Sequence, residues 1–399
     1  MTRITFLLTG GLEDPAGLGR YFPLAKELVK LGHEVSMLTL HPDLGSVSQR
    51  YLEVSGVRVH YVGQMHVRKV GNEKTYFSTV GLLRVALASS LRMGLEALLS
   101  ETDVIHLAKP QPINGLAALG SKFLRGRSLY LDCDDYEAVS NRFSGRWQKA
   151  VVALWEDNLP RFAKGMTVNT RFTQKRNIAL GFPAERIVFV PNGVDRERYV
   201  PVDPRQVQDR RQRLGLEDKR VVLYEGSMSL VSHPVDLLLD AFGDVRRQCR
   251  DAVLILVGGG EDYDALRRRA AELGLREAAL FVGRVRPAEV PLYLAMSDVS
   301  VEPVYDDLAA RARSPLKIFE SLAVGTPVVT GDVGDRREML EDGKAGLLVK
   351  PGDSDALAEG IVTLLQDRER AQAMREAALQ LRERYYWDVL VKDFVKVYD

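Results

Sequence analysis

Cysteine is almost missing from this chain. Two residues, Cys133 and Cys249, are all that 399 positions hold. They lack the paired spacing of a zinc site and cannot make a disulfide framework, so both read as reduced, structural thiols. An excess of either charge is missing too. With 55 basic and 54 acidic residues the formal net charge is +1, so no overall field draws in nucleic acid or acidic polymers. No apolar run reaches the ~20 residues needed to cross a bilayer. The opening apolar stretch meets Gly10-Gly11 before it attains the length of a signal-peptide core, and it reads as a first buried strand. These absences leave a cytoplasmic globular chain. Its composition, 46% hydrophobic and 27% charged, suits one, and its length is more than a single core fills, which predicts two domains.

What is present is alternation. Strand-like runs at Ile4–Leu8, Glu34–Leu40, Val57–Val62, Asp103–Leu107, Ser128–Asp132, Gly165–Asn169 and Ile187–Val190 are separated by stretches of helical spacing such as Tyr21–Leu31. Tyr199–Arg213, with Pro201, Pro204 and a polar run, reads as a linker. The pattern then restarts, with strands expected at Arg220–Glu225, Val253–Val257, Ala279–Val282, Val299–Glu302 and Pro327–Thr330. Helices are expected at Val235–Cys249, Tyr263–Leu273, Glu289–Met296 and Leu316–Val324. The alternation predicts an α/β protein of two tandem Rossmann-like, doubly wound domains, whose ligand crevice lies at the carboxyl ends of the strands, facing a central cleft. The first is expected over 1–198, joined by a final helix at about 383–399, and the second over 199–382. Tyr385-Tyr386-Trp387 demand burial, which predicts that this last helix packs on the first domain.

One long apolar stretch, Tyr76–Leu99, carries Arg84 and Arg92 and follows Arg68, Lys69 and Lys74. A packed helix pair of the first domain explains it best. The other reading is a peripheral contact with the anionic inner face of a membrane.

The chemistry concentrates in Ser314-Pro315-Leu316-Lys317-Ile318-Phe319-Glu320, followed by Gly325-Thr326-Pro327. A loop here feeds a helix whose first N–H groups and positive dipole end suit a diphosphate. Lys317 adds a point charge in the first turn, and Glu320, a turn beyond Leu316, is placed to accept from a ribose diol. Read alone, an amphipathic helix with a surface glutamate fits as well. Further glycine clusters follow strand ends: Gly10-Gly11 and Gly17-Leu18-Gly19, Gly226-Ser227, Gly258-Gly259-Gly260, and Gly283-Arg284-Val285. The wide spacing of Gly10 and Gly17 does not make a dinucleotide fingerprint. Asp132-Cys133-Asp134-Asp135 gathers carboxylates at one strand end, fit for binding an acceptor hydroxyl or for general-base work. Lys109 follows another strand and points to the crevice if that strand ends there. Neither cysteine nor acidic residues show cation spacing, so no metal is expected.

The Ser314–Val329 segment resembles the donor-site helix of the GT-4 family of retaining glycosyltransferases, which have the GT-B fold. It is similar to a branch with Ser-Pro-Leu-Lys before the second glutamate of the motif. Glu320 matches that glutamate, the ribose ligand, while the first falls at position 312, here Ala312. The resemblance covers nearly the whole chain. Gly10, Gly11, Gly17, Leu18 and Gly19 match the N-terminal pattern that meets acceptor or donor phosphate. Gly226, Ser227 and Gly258 match donor-loop positions, and Arg284 with Val285 the segment that holds the nucleobase. His106 matches the first histidine of a fourth-strand motif whose second position is Ala108. The positions where the family places Arg and Lys against the diphosphate hold Ser227 and His233, so Arg311, Arg313 and Lys317 are the expected substitutes.

The resemblance implies a retaining, metal-independent hexosyl-type transferase that uses a nucleotide sugar as co-substrate and needs no further cofactor. UDP is favoured as the commonest donor. The acceptor is a glycan, a lipid-linked molecule or a small molecule, and the catalytic candidates are Lys109, Asp134 and His106. Two readings compete with it: a GT-B protein reduced to binding sugar nucleotides or glycans, and a sugar phosphorylase or epimerase on the same fold.

Overall fold

Alternate residues of the first strand serve two different cores. In β1 (Arg3–Leu7), Ile4 and Phe6 face one apolar cluster and Leu7 the other. Such two-sided burial is what a central parallel strand requires. The computed structural model describes residues 1–14, 16–70, 73–143 and 145–399, with side chains for all of these except 69, 70, 73 and 74. The side chains of Lys69 and Lys74 therefore lie outside the described residues.

The chain forms two compact units. The first comprises 1–192, 312–314 and 387–399; the second comprises 193–311 and 315–386. The first holds β1, β2 (Glu34–His41), β3 (Tyr51–Val54), β4 (Val57–Gln64), β5 (Val67–Val70), β6 (Glu73–Tyr76), β7 (Val104–Ala108), β8 (Ser128–Cys133), β9 (Gly165–Val168) and β10 (Ile187–Phe189). Its main sheet runs β10-β9-β8-β7-β1-β2-β4-β3, all parallel except the β3–β4 edge pair; β5 and β6 make a separate antiparallel pair. On one face lie the helices Phe22–Lys30 and Trp387–Phe394, which bury Leu24, Leu28, Trp387, Leu390 and Phe394. On the other lie Thr79–Leu99 and Pro112–Arg125, which bury Met93, Ala97, Ile113, Ala117 and Ala118. Pro112 starts its helix at the first turn, where a missing N–H costs nothing, and left-handed Gly126 ends it.

The second unit holds β11 (Arg220–Glu225), β12 (Ala252–Val257), β13 (Ala279–Gly283), β14 (Val299–Glu302), β15 (Val328–Gly331) and β16 (Gly346–Val349), in the order β13-β12-β11-β14-β15-β16. Every pair is parallel. The register splits the core: Val222, Tyr224, Leu254 and Leu256 meet the helices Val235–Gln248 and Ser354–Gln366. Val221, Leu223, Val253 and Ile255 meet Val290–Ala295 and Leu316–Val324. Both units are thus doubly wound α/β, as the alternation predicts.

Three expectations are corrected. The linker Tyr199–Arg213 contains a helix, Pro204–Arg213, because the Asp203 side chain caps the Arg205 N–H and Arg210 anchors it to Tyr293 and Glu289. Tyr76–Leu99 is a single helix from Thr79 rather than a helix pair. Gly17-Leu18-Gly19 lie in a π-helical turn, Gly17–Tyr21, rather than in an open loop.

Candidate functional site

In each sheet the strand order reverses about one strand, and such a switch point leaves a crevice at the carboxyl ends. In the first unit the reversal lies between β1 and β7, since β1 has β2 on one side and β7 on the other. In the second it lies between β11 and β14.

At the first unit's switch point, β1 runs into Thr9-Gly10-Gly11 and β7 into Lys109. Lys109 has φ +64°, a left-handed conformation that a non-glycine residue adopts only where its surroundings impose it. That turn sends Nζ among three carboxylates, at 2.7 Å from Asp135, 2.9 Å from Glu137 and 3.2 Å from Asp134, the last without hydrogen-bond alignment. Burial opposes the ammonium, yet these three carboxylates outweigh it and hold Lys109 well above its usual pKa. Burial pushes the Asp134 carboxyl up to about 7, against the pull of Lys109, which leaves it able to exchange a proton near neutrality. Gln111 donates to Glu137 and accepts from Thr9, so the end of β1 is wired to the same cluster. Among the described residues, Asp134, Asp135 and Glu137 are the group with oxygens close enough for a cation, within 4.8 Å of one another. Lys109 already supplies positive charge there.

His106 does not belong to this cluster, which corrects its candidacy. It lies inside β7, fully buried between Phe6 and Phe394. Its Nδ1 is 2.9 Å from the Tyr398 hydroxyl, and burial lowers its pKa to about 4. It is a neutral core residue. The glycines have structural reasons as well. A Cβ on Gly17 would stand 2.4 Å from the Gly11 carbonyl, so only glycine lets the helical turn close on the loop. Gly11 donates to Asp14, Gly10 accepts from Thr39, and Gly19 accepts from the Trp387 indole; Leu18 is half-buried beside it.

Beneath the loop sits a pair that sequence reasoning missed. Arg20 is 1% exposed and grips Asp132 through two hydrogen bonds, of 2.6 and 2.7 Å. Burial works against the Asp132 carboxylate, but Arg20 more than compensates and lowers its pKa. The same guanidinium donates to the carbonyls of Val190 and Pro191 and to Asn192 Oδ1. Asn192 in turn donates to the hydroxyl and carbonyl of Ser314. The Ser314 side chain is thus engaged with Asn192, a corrected role for a residue expected at the donor. Ala312 is wholly buried, a pocket that gives a carboxylate no solvent, and Arg313 beside it is half-buried.

In the second unit two glycine loops run side by side after β11 and β12. Gly226 N–H donates to Val257, Gly258 N–H to Gly283 and Met228 N–H to Gly259. Gly258 has φ +132°, and a Cβ on it would stand 1.9 Å from the Gly226 carbonyl. No other residue fits. Across this loop comes the first turn of Leu316–Val324, with Pro315 as its cap and Leu316 half-buried. Lys317 Nζ sits 4.2 Å over the Tyr224 ring, and a Cβ on Gly226 would lie 3.2 Å from it. A turn later, Glu320 Oε1 accepts from the Tyr199 hydroxyl and faces Arg198 at 3.5 Å. Ser227 offers its carbonyl to Tyr224. Exposed Arg284 and half-buried Val285 follow Gly283, which the Gly258 bond ties to the same loops. Of the expected substitute cations, Arg311 is turned away to an exposed pair with Asp306.

Tyr199, the first residue of the supposed linker, and Arg198 just before it were missed as partners of Glu320, and nothing in their spacing marks them. Glu225 ends β11. It is buried, and burial with Glu320 nearby raises its pKa to about 8, Lys317 opposing. Its unfolded carboxyl ionises near 4.5, so stability falls as pH rises through that window and the full penalty is present above it. Glu225→Gln is expected to raise the melting temperature by several degrees above pH 8 and to flatten its pH profile. An unchanged profile counts against this reading. Glu302 instead is paired: Arg336 donates twice to it at 2.8 Å and also to the Ala310 carbonyl, steadying the segment before the helix.

Residues 16–193 match a family described as glycosyl transferase 4-like domain, and residues 206–381 match glycosyl transferases group 1. A GDP-mannose-dependent alpha-(1-6)-phosphatidylinositol monomannoside mannosyltransferase of Mycolicibacterium smegmatis is 34% identical over 211 residues, 52% of this chain and 55% of that one. The chain spans little more than half the length of the curated relatives it matches in this way. Among solved structures, Anabaena HepE in complex with UDP and glucose superposes with TM-score 0.74 at 21% identity, covering 100% of this chain and 99% of that one. Sucrose-phosphate synthase from Thermosynechococcus elongatus gives TM-score 0.75 at 20% identity, covering 100% and 98%. Such identities speak for the fold.

Proposed function

The chain carries both domains of a GT-B glycosyltransferase, and from that premise we propose that it is a retaining transferase: its second unit holds a nucleoside diphosphate sugar, and its first unit presents the acceptor. The observation that carries this reading is Lys317 laid over Tyr224 beside Gly226, at the first turn of a helix that bears Glu320 one turn on. The N–H groups of that turn and the Lys317 ammonium meet the diphosphate. Glu320, braced by Tyr199 and Arg198, takes the ribose diol. As the bond from the anomeric carbon to the diphosphate breaks, the leaving oxygen gains charge beside Lys317. The acceptor hydroxyl attacks on the same face and gives its proton to a phosphate oxygen of the leaving group. Asp134, poised near neutrality, and Lys109 orient the acceptor. Protein cations supply the charge compensation, so activity in a chelator is expected to persist.

The base is decided by measurement. UDP is the commonest donor of the family, whereas the relative from Mycolicibacterium smegmatis is named for GDP-mannose. Calorimetry against UDP, GDP, ADP and TDP should show one preferred nucleotide. Glu320→Ala should weaken it by about tenfold to a hundredfold, the loss of hydrogen bonds to a charged group. NMR of the product of a labelled donor should show the donor's anomeric configuration retained. Binding to none of the four would overturn the donor assignment. Binding without transfer would leave a sugar-nucleotide binding protein, and dependence on inorganic phosphate would indicate a phosphorylase.

A further inference from the structure

The helix Thr79–Leu99 buries Ser89, Ser90, Met93 and Ala97 and turns a row of leucines to solvent. Leu83, Leu87, Leu91, Leu95 and Leu99 are between 54% and 73% exposed. An amphipathic helix at a protein surface normally shows the reverse. The charged residues exposed on it are Arg84 and Arg92; its glutamate, Glu96, is only partly exposed and turned to His60 at 3.4 Å.

The neighbouring helix Pro112–Arg125 continues the face. It exposes Leu116, Phe123 and Leu124, carries Lys122 and Arg125, and has no acidic residue. Phe123 meets Phe162 edge-on at 5.9 Å. Beside them opens a mostly apolar groove of about 330 Å³ lined by Leu119, Leu154, Trp155, Asn158, Leu159 and Phe162. A protein of net charge +1 thus concentrates positive charge and exposed aliphatic surface on one side of its first unit.

We infer that this face docks on an anionic lipid bilayer, with Thr79–Leu99 lying in the interfacial plane. No helix among the described residues is long and apolar enough to cross a membrane, and a helix of 21 residues lies flat over about 30 Å. The leucines enter the acyl boundary while Arg84 and Arg92 extend back to lipid phosphates. A second copy of the chain fits less well, because a two-fold contact centred here brings like-charged arginines into an apolar seam. A soluble polyanion satisfies the arginines and leaves the leucines in water. Docking stands apart from the transferase reading; where both hold, the acceptor is lipid-linked.

The test is flotation of the full chain with vesicles of phosphatidylcholine alone and of equal parts phosphatidylcholine and phosphatidylglycerol. The anionic vesicles should retain it far better than the neutral ones. Arg84→Gln with Arg92→Gln should weaken that retention roughly thirtyfold, and Leu87→Asp with Leu91→Asp should abolish it. All four positions are exposed, so melting temperature and nucleotide binding should stay as in the parent. Nucleotide titration of the same samples therefore separates failure of docking from failure of the transferase reading. Equal retention by both vesicles, or a leucine variant retained like the parent, would overturn the inference. So would a dimer in solution that the leucine variant splits while vesicles retain neither protein.

Discussion

Lys317→Met is expected to lower kcat by about two to three orders of magnitude, with the melting temperature close to that of the parent. The argument is one of charge. Loss of a nucleoside diphosphate concentrates negative charge on the leaving oxygen, and stabilising that charge is the largest contribution such a site makes. Related transferases are expected to meet it with arginine and lysine where this chain has Ser227 and His233. Arg311 is occupied with Asp306 at the surface. Arg313 belongs to the first unit, and within the second unit Lys317, nine-tenths buried, holds its ammonium over Tyr224. Methionine keeps the aliphatic stem against that ring and removes the charge, which also acts on buried Glu225 and Glu302. Nucleotide affinity should fall as well, but less than kcat, because the charge grows toward the transition state. A variant whose kcat stays within about tenfold of the parent would put the compensating charge elsewhere.

The second large effect concerns stability. Asp132→Asn leaves the Arg20 guanidinium sealed in the first unit without its counter-charge. Breaking one side of a buried pair costs about 3–5 kcal/mol, which for a unit of this size lowers the melting temperature by roughly ten degrees. Arg20 also holds the carbonyls of Val190 and Pro191 and the side chain of Asn192, so limited proteolysis should reach that segment sooner. Arg20→Met combined with Asp132→Leu removes both charges at similar volume and should recover much of the lost melting temperature. If Asp132→Asn melts with the parent, the pair is not what secures this loop.

The sequence showed the strands well and the side-chain partnerships poorly. Arg220–Glu225 and Val299–Glu302 coincide with β11 and β14, because central parallel strands are continuous apolar runs. The edge pieces β3 and β16 were missed; edge strands bury less and carry a weaker pattern. Leu316–Val324 was read with its bounds, since Pro315 and Gly325 mark its ends. Arg20 and Asp132 are 112 positions apart, a separation no local pattern reports, and the brace of Tyr199 on Glu320 spans 121. His106 shows the opposite failure: a residue with suggestive chemistry stood two positions short of the end of β7 and was core. Leucine density in Tyr76–Leu99 left packing and membrane contact both open, because composition alone does not say which face of a helix is buried.

The composition of the first unit sets a schedule for synthesis. Its sheet is finished by residue 189, yet the face that Phe22–Lys30 covers in part is completed only when Trp387, Leu390 and Phe394 arrive. A chain growing from the ribosome must therefore make the whole second unit while the first waits with part of that face uncovered. Folding cannot proceed in simple order from the amino end. The intervening interval is when the nascent protein is most exposed to aggregation and has most need of a chaperone.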